Sequence, residues 1–473
     1  MARVLLVYTN SLGIPYIDLG LASLSAMLKQ AGHRVGLVDF TFGLSDAAAL
    51  RQLREFRPDL IGMTARTNEF ERVVGLAGKI KRRFGTPIYC GGIHPTMAPE
   101  DAIARGCFDG VCIGEGDVAM RELVGRLERG EDPGSTRGFW FFRDGEIVRN
   151  EAAPLVDDLD ALPPADLDLY DFQRYLTARD GQLDVIASRG CPFSCSFCAA
   201  PRLREIYQGK GRYVRERSVP SIIAELKERT ARWKIRRITF VDEMFNINRE
   251  KLRRFCEAYG AEIGLPFECD LRADGCDDDL FRHLKAAGCD KVNIGVESGD
   301  EALRGSLLRK KISNEQIASA FALARRHGIR TMSYNIIGLP TETREQIRST
   351  IDLNRRIRPD AIQVSIFTPY PGTRLYDYVL RERLLRRKEY ASSYYTRANL
   401  RYPDFDARQL LRMRMLFGYE CLKQESRLRA LLLLAREAAT PLYLRFGRHI
   451  PLRANQLIYR LFWHGRALGF LAK

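Results

Sequence analysis

The sequence predicts an α/β chain in three stretches: a doubly wound parallel sheet of Rossmann type, a partial (βα)6 barrel, and a basic, mostly helical end. Three observations carry this. Short apolar runs alternate with amphipathic helical patterns twice, once in the first 125 residues and again after residue 183. An acidic, proline-containing stretch with little periodicity separates the two series. Positive charge gathers at the end, where residues 374–473 hold 21 basic and 8 acidic side chains.

In the first series the apolar runs are 4–8, 35–39, 60–63, 87–91 and 110–113, with helical patterns such as 19–30 and 69–84 between them. Continuous apolar runs suit parallel strands covered on both faces. An open sheet of this kind binds ligands in the loops that leave the carboxyl ends of its strands. Here those loops are 9–13, 64–68, 91–96 and 114–117, within a first domain of residues 1–150. A linker is expected over 151–182. The second series, over 183–373, places strands at 184–187, 237–241, 267–271, 291–296, 333–337 and 361–367. Six strands separated by helices predict a partial barrel with its chemistry at the C-terminal mouth. Residues 374–473 read as mostly helical.

Of the 473 residues, 45% are hydrophobic and 28% charged, which is enough apolar material for large cores and excludes a disordered or fibrous chain. The longest aliphatic stretch, 430–435, is far short of the ~18 apolar residues a spanning helix needs. The N-terminus turns polar at Thr9-Asn10, too early for a signal peptide, so a cytoplasmic protein is expected. Eleven cysteines in so long a chain point to metal ligation rather than to a disulfide framework.

Three of them follow the first strand of the second series as Arg189-Gly-Cys191-Pro-Phe-Ser-Cys195-Ser-Phe197-Cys198. A structural zinc site closes with a fourth Cys or His, commonly as two separated pairs, and no such pair stands nearby. Three thiolates also suit an iron–sulfur cluster, in which one iron of four is left without a protein ligand. Zinc and a merely buried trio are the other readings. The remaining cysteines form no CxxC pair and are expected to pack in the core.

This Cx3Cx2C loop, with Phe197 before its last cysteine, resembles the radical S-adenosylmethionine (SAM) superfamily. The resemblance implies a [4Fe–4S] cluster on Cys191, Cys195 and Cys198, which act as metal ligands and as the catalytic centre, and SAM chelated at the fourth iron. It further implies one-electron cleavage of SAM to a 5′-deoxyadenosyl radical, fed by an electron donor such as flavodoxin or ferredoxin. Downstream matches lie at strand ends: Phe240-Val-Asp242-Glu243, Arg272, Gly295-Val-Glu297-Ser298-Gly299 and Asn335-Ile-Ile-Gly338-Leu-Pro340-Thr-Glu342. Phe197, Asp242, Glu243, Arg272, Glu297, Ser298 and Asn335 are thereby implicated in holding SAM. Arg272 can fork onto a carboxylate, and Glu297 and Ser298 can bond hydroxyls or an amino group. Each is also open to a plainer reading, as a strand-end residue that closes a loop or pairs with a neighbour.

The first domain resembles the cobalamin (B12)-binding domain that precedes many such barrels, through Ile17-Asp-Leu-Gly20, Gly91-Gly92-Ile-His94-Pro95-Thr96 and Gly114-Glu115-Gly116-Asp117. The resemblance covers about residues 1–375 and implicates Thr64, Gly91, Gly92, His94, Gly114 and Glu115 in cobalamin binding. It departs from the family at one point. Domains that ligate cobalt by histidine carry Asp-x-His-x-x-Gly after the first strand, where this chain has Thr9-Asn-Ser-Leu-Gly13. Cobalamin with its base displaced and no histidine on cobalt is therefore expected, with His94 shaping its loop. A domain that has lost cobalamin is the alternative.

The basic end interleaves arginine with Leu, Ile, Tyr, Phe and Trp, notably around Trp463. Such helices lie at anionic membrane surfaces, or cap a barrel with a solvated basic face. No nucleic-acid motif is present, and nucleic acid is not an expected partner. The implied activity is a cobalamin-dependent radical SAM methyltransferase acting on an unactivated carbon of a hydrophobic or lipid-like small molecule. Ring formation or another carbon-skeleton change without methyl transfer is the second reading.

Overall fold

The computed structural model describes residues 1–10, 14–386, 390, 393–446 and 450–458. The first part runs β1 (Arg3–Tyr8), α1 (Leu19–Gln30), β2 (Arg34–Asp39), α2 (Asp46–Phe56), β3 (Leu60–Thr64), α3 (Phe70–Lys81), β4 (Ile88–Gly91), α4 (Ile93–Met97), α5 (Pro99–Ala104), β5 (Gly110–Cys112), α6 (Gly116–Glu128), β6 (Phe139–Arg143) and β7 (Glu146–Arg149). Strands β1 to β5 are parallel in the order β2-β1-β3-β4-β5, and each falls on an apolar run. Strands β6 and β7 add an antiparallel hairpin that the apolar runs did not indicate. Its turn is Asp144-Gly145, both at positive φ (51° and 81°), the twist a two-residue hairpin needs.

The linker is more ordered than its composition suggested. It contains α7 (Phe172–Ala178) and is tied down by tyrosines: the Tyr175 hydroxyl donates to Asp39 (2.6 Å) and lies 2.8 Å from the Thr41 hydroxyl, and that of Tyr170 donates to the Asp18 carbonyl (3.0 Å). Its acidic residues are partners rather than spacers, since Asp166 accepts from Ser25 (2.6 Å) and pairs with Lys29.

The barrel follows with β8 (Gln182–Val185), β9 (Ser188–Arg189), α8 (Ala200–Ile206), β10 (Arg215–Glu216), α9 (Val219–Arg232), β11 (Arg237–Phe240), α10 (Arg249–Glu262), β12 (Phe267–Leu271), α11 (Asp278–Ala286), β13 (Cys289–Glu297), α12 (Glu301–Ser306), α13 (Asn314–Arg326), β14 (Arg330–Ile337), α14 (Arg344–Ile357) and β15 (Ala361–Ile366). Six strands form one parallel sheet in the order β15-β14-β13-β12-β11-β8, as the second series predicted. The sheet is open between β15 and β8.

One apolar core runs from β1 and α1 through Leu167, Tyr170 and Tyr175 of the linker into the barrel strands. The helices α15 (Arg374–Arg381), α16 (Ala407–Leu422), α17 (Arg427–Phe446) and α18 (Leu452–Ile458) complete the described chain. Helices α16 and α17 share a further core with β14, β15 and α14, through Phe417, Leu433 and Ile362 among others. Gln456 of α18 reaches back to Asp180, ahead of β8 (3.3 Å). Among the described residues no helix is long and apolar enough to cross a membrane. The region around Trp463 lies outside the described residues.

Candidate active site

The cysteine loop leaves β9 through Gly190, whose φ of +89° and tight approach to the Tyr213 carbonyl exclude a side chain. Ser196 anchors the loop's middle. Its N–H donates to the Leu308 carbonyl (3.0 Å), its hydroxyl to that of Leu307, and its own carbonyl accepts from Leu375 (2.9 Å). Arg204 donates to Pro192 O (2.6 Å) and Ser194 Oγ (2.8 Å). Cys191, Cys195 and Cys198 are all reduced and half-buried.

The guanidinium of Arg272 stacks on the Phe193 ring at 3.6 Å, puts Nη1 4.0 Å from Cys195 Sγ, and is held by Asp274. Ala200 N donates to Cys198 Sγ (3.4 Å). Burial raises all three thiols, Cys198 to about 11, and the charge of one opposes ionisation of another, so a bound metal must displace their protons. Among the described residues no three Cys, His, Asp or Glu side chains converge to hold a single metal ion. A lone zinc needs its thiolates within about 2.3 Å of one point. A four-iron cluster instead gives each cysteine its own iron, and this donor set fits it.

Above the loop the barrel mouth holds a cavity of about 370 Å³ lined by Phe197, Glu297, Tyr334, Asn335, Gln363 and Tyr394 among others. Glu297 is placed by an irregular register between β13 and β14 and takes a left-handed conformation (φ 63°). Its Oε1 lies 2.8 Å from Lys310 Nζ, which also donates to the Gly295 carbonyl (2.7 Å). Asn335 joins three elements, donating to Ser333 Oγ (3.0 Å) and the Gln363 carbonyl (3.2 Å) and accepting from Asn354 (2.7 Å).

A second cavity, of about 410 Å³, lies between the carboxyl ends of β1, β3, β4 and β5 and the start of the barrel. Thr64, Gly91, Gly92, Gly114 and Glu115 line it on one side, and Arg189, Val241 and Glu243 on the other. Leu6, Met120 and Phe139 give it an apolar floor, a cradle suited to a large flat ligand with an apolar body. Gly92 has φ +95°, and a Cβ there would stand 2.8 Å from Thr64 Oγ1. Gly114 is pressed by the Tyr207 hydroxyl, so its missing side chain makes room for the barrel. Glu115 pairs with Arg189 (2.8 Å) and Arg215, while Arg189 also reaches Asp117 (2.7 Å). Arg189 stands two residues before Cys191, and burial raises the Glu243 carboxyl, whose charge is felt by Cys191 and Cys198. Arg189 and Glu243 thus form a wall common to this cavity and the cysteine loop.

Apart from the three cysteines and Arg272, which belong to the loop site itself, three residues marked by sequence line neither cavity, and each spends its polar atoms on local structure. Asp242 accepts from Ala187 N (3.1 Å) and from Ser188, and burial raises it to about 6. Ser298 is fully buried, with Oγ accepting from Asp300 N (3.2 Å) and its carbonyl from Arg304. His94 is fully buried, with Nδ1 3.2 Å from Thr67, Nε2 3.3 Å from Asp101 and its ring on Phe70 at 3.8 Å. In the loop after β1, Asn10 bonds Ile14 O and Thr41, and residues 11–13 lie outside the described residues. Sequence reading missed Arg189 as a clamp, though it adjoins the motif. It also missed Arg215 and Lys310, which no local pattern marks.

A family model described as the B12 binding domain matches residues 5–124, and one described as the radical SAM superfamily matches residues 185–353. An uncharacterized methyltransferase of Pyrococcus horikoshii is 30% identical over 78% of this chain and 79% of its own. An anaerobic magnesium-protoporphyrin IX monomethyl ester cyclase of Rubrivivax gelatinosus is 28% identical over 75% and 65%, and a hopanoid C-3 methylase of Methylococcus capsulatus 29% over 75% and 67%. The solved methyltransferase TsrM of Kitasatospora setae, with cobalamin and a [4Fe–4S] cluster bound, shares the fold at a TM-score of 0.69, with 21% identity over 81% of this chain and 78% of its own. Two domain matches in the expected order, on a chain whose two cavities meet at a cysteine loop, make this chain a member of the cobalamin-dependent radical SAM methyltransferase family, enzymes that use a [4Fe–4S] cluster, SAM and cobalamin on small-molecule substrates.

Proposed function

We propose that this enzyme methylates an unactivated carbon of a hydrophobic or lipid-like molecule. The observation that carries the reading is the common wall, Arg189 and Glu243, between the glycine-lined cavity and the cysteine loop. It suits two cofactors that must act on one substrate in turn. When bound, the cluster with SAM supplies hydrogen abstraction by one-electron chemistry, and the corrinoid supplies a methyl carrier. Cys191, Cys195 and Cys198 hold the cluster, and Arg272 lends Cys195 an N–H and holds the loop by stacking on Phe193. Phe197, Glu297 and Asn335 face SAM from the barrel cavity, with Lys310 fixing the Glu297 carboxylate, and Glu243 faces both cofactors. Thr64, Gly91, Gly92, Gly114 and Glu115 face the corrinoid, and the apolar floor under Gly62 suits its displaced base. Asp242, Ser298 and His94 position the segments that carry these groups. The working units are 1–150, 151–182, 183–373 and 374–473.

A peripheral membrane contact goes with this reading. The outer side of α17 presents Leu428, Leu431 and Leu432 to solvent, beside a basic C-terminal region. An electron donor such as flavodoxin or ferredoxin completes the scheme.

Reconstituted enzyme, reductant and SAM labelled in its methyl group, incubated with candidate lipid extracts, test it by product mass. A product heavier by one labelled methyl is expected. The cyclase relative favours a second reading, in which a product forms with no labelled carbon.

A further inference from the structure

The open side of the barrel is not sealed. Between the edge strand β15 and helix α17 lies a chamber of about 430 Å³, separate from the two cavities above and in the size range of small-molecule sites. Its walls are largely apolar: Met332, Ile362 and Val364 from the sheet, Leu442 and Phe446 from α17, and Ile458 from α18. It adjoins the barrel cavity. Gln363 lines both, and Tyr394 on the barrel side packs against Tyr395 on the chamber side, ring centres 4.4 Å apart and planes tilted by 51°.

Into this apolar chamber the chain puts two guanidiniums and one carboxylate. Glu437 is bonded by Arg414 Nη2 (2.5 Å) and by Arg436 Nη2 (2.7 Å), and Arg436 also donates to the Ile362 carbonyl (3.2 Å). One positive charge is left over. Arg414 is only 6% exposed, its guanidinium lies 5.0 Å over the Tyr395 ring, and its Nε is buried with no hydrogen-bond partner among the described residues. A buried donor without an acceptor is costly, and an arginine N–H is best met by an anionic oxygen.

We propose that this chamber binds an anionic single-chain amphiphile, with Arg414 and Arg436 at its charged end and its chain directed past Gln363 toward the barrel cavity. This rests on the reading of an apolar substrate given above and narrows it to a class. The chamber matches both halves of such a molecule: apolar walls for the chain, and the surplus positive charge of two guanidiniums against one carboxylate for the head. A carboxylate and a phosphate monoester are the two heads that fit.

The test uses the full chain with its cofactors and three probes: oleate, dodecyl phosphate and uncharged dodecanol, each titrated by calorimetry below its critical micelle concentration. Wild type is expected to bind one equivalent of oleate or dodecyl phosphate, whichever head the site prefers, at least tenfold tighter than dodecanol. Arg414→Gln should cut binding of the anionic probes about tenfold and change dodecanol by less than twofold. Ala439→Trp, on the chamber wall, should weaken all three. Iron content and thermal midpoint of the same preparations show that both variants fold. Equal affinity for charged and uncharged probes, or variants that bind as wild type does, overturns the proposal. The two readings separate: probe binding with no labelled product from any extract overturns the methyl-transfer reading alone, and labelled product from an enzyme that binds no probe overturns the chamber alone.

Discussion

Single side chains in this enzyme are set apart by what burial does to their protons. Glu342 is the clearest case. It is fully buried, accepts from Gly338 and Leu339 N–H, leaves Oε1 without a partner among the described residues, and is raised from its ordinary 4.5 to about 8. A carboxyl raised on folding binds its proton more tightly in the native state, so its cost is absent below about 4.5, grows through the interval and is full above about 8. The thermal midpoint of wild type is therefore expected to fall between pH 5 and 8 relative to Glu342→Gln. Parallel melting curves at both pH values would count against this assignment. The cysteines give a second test: replacing Cys191, Cys195 and Cys198 together by Ala should abolish cluster iron, measured by iron content and the visible absorption of the reconstituted protein. His94 gives a third. With both ring nitrogens engaged by Thr67 and Asp101, electron paramagnetic resonance of the cob(II)alamin form should show no nitrogen splitting from the protein, and His94→Ala should leave the spectrum unchanged. The cysteine motif was legible because its chemistry is packed into eight consecutive residues. Asp242 and Ser298 stand out in the sequence but their hydrogen bonds do not, because a polar side chain at a strand end looks the same whether it meets a ligand or a backbone N–H.

Among the elements, strands were read well and decorations poorly. The parallel strands carry short continuous or alternating apolar runs, which are a strong local signal; β13, which ends in Glu297, starts ahead of its run, at Cys289 and Asp290. The hairpin of β6 and β7 lies beyond the five apolar runs of the first series, although Phe139 to Phe142 and the Asp144-Gly145 turn announce it. Helix α17 carries the element-scale prediction. Its inner side supplies Ala430, Leu433 and Glu437, and its outer side is apolar, with Leu428 55% and Leu431 54% exposed. Burying each leucine at a lipid surface contributes on the order of 1.5–3 kcal/mol, and each nearby basic residue about 1 kcal/mol. Leu428→Gln, Leu431→Gln and Leu432→Gln together should abolish co-sedimentation with anionic liposomes at low salt while the fold persists. Binding that survives the triple substitution would leave α17 as a barrel cap only.

An ionic clamp and an apolar seam join the sheet to the barrel. Glu115 holds Arg189 and Arg215 across the boundary between sheet and barrel. Removing one partner leaves a poorly hydrated guanidinium, and with Glu115 a quarter exposed and Asp117 still on Arg189 the cost of Glu115→Gln is on the order of 2 kcal/mol. A lowered thermal midpoint and faster proteolysis between residues 150 and 182 are the expected signs. None of this was legible beforehand, because the partners lie 74 and 100 residues apart. The apolar seam has a consequence for anyone who would recombine such enzymes. Since Leu167, Tyr170 and Tyr175 belong to the same core as β1 and the barrel strands, the junction is tailored on both sides. A chimaera that takes its first domain from a relative and its barrel from this chain will fold only if the intervening segment is inherited with the domain whose Asp18, Asp39 and Thr41 it was shaped to meet.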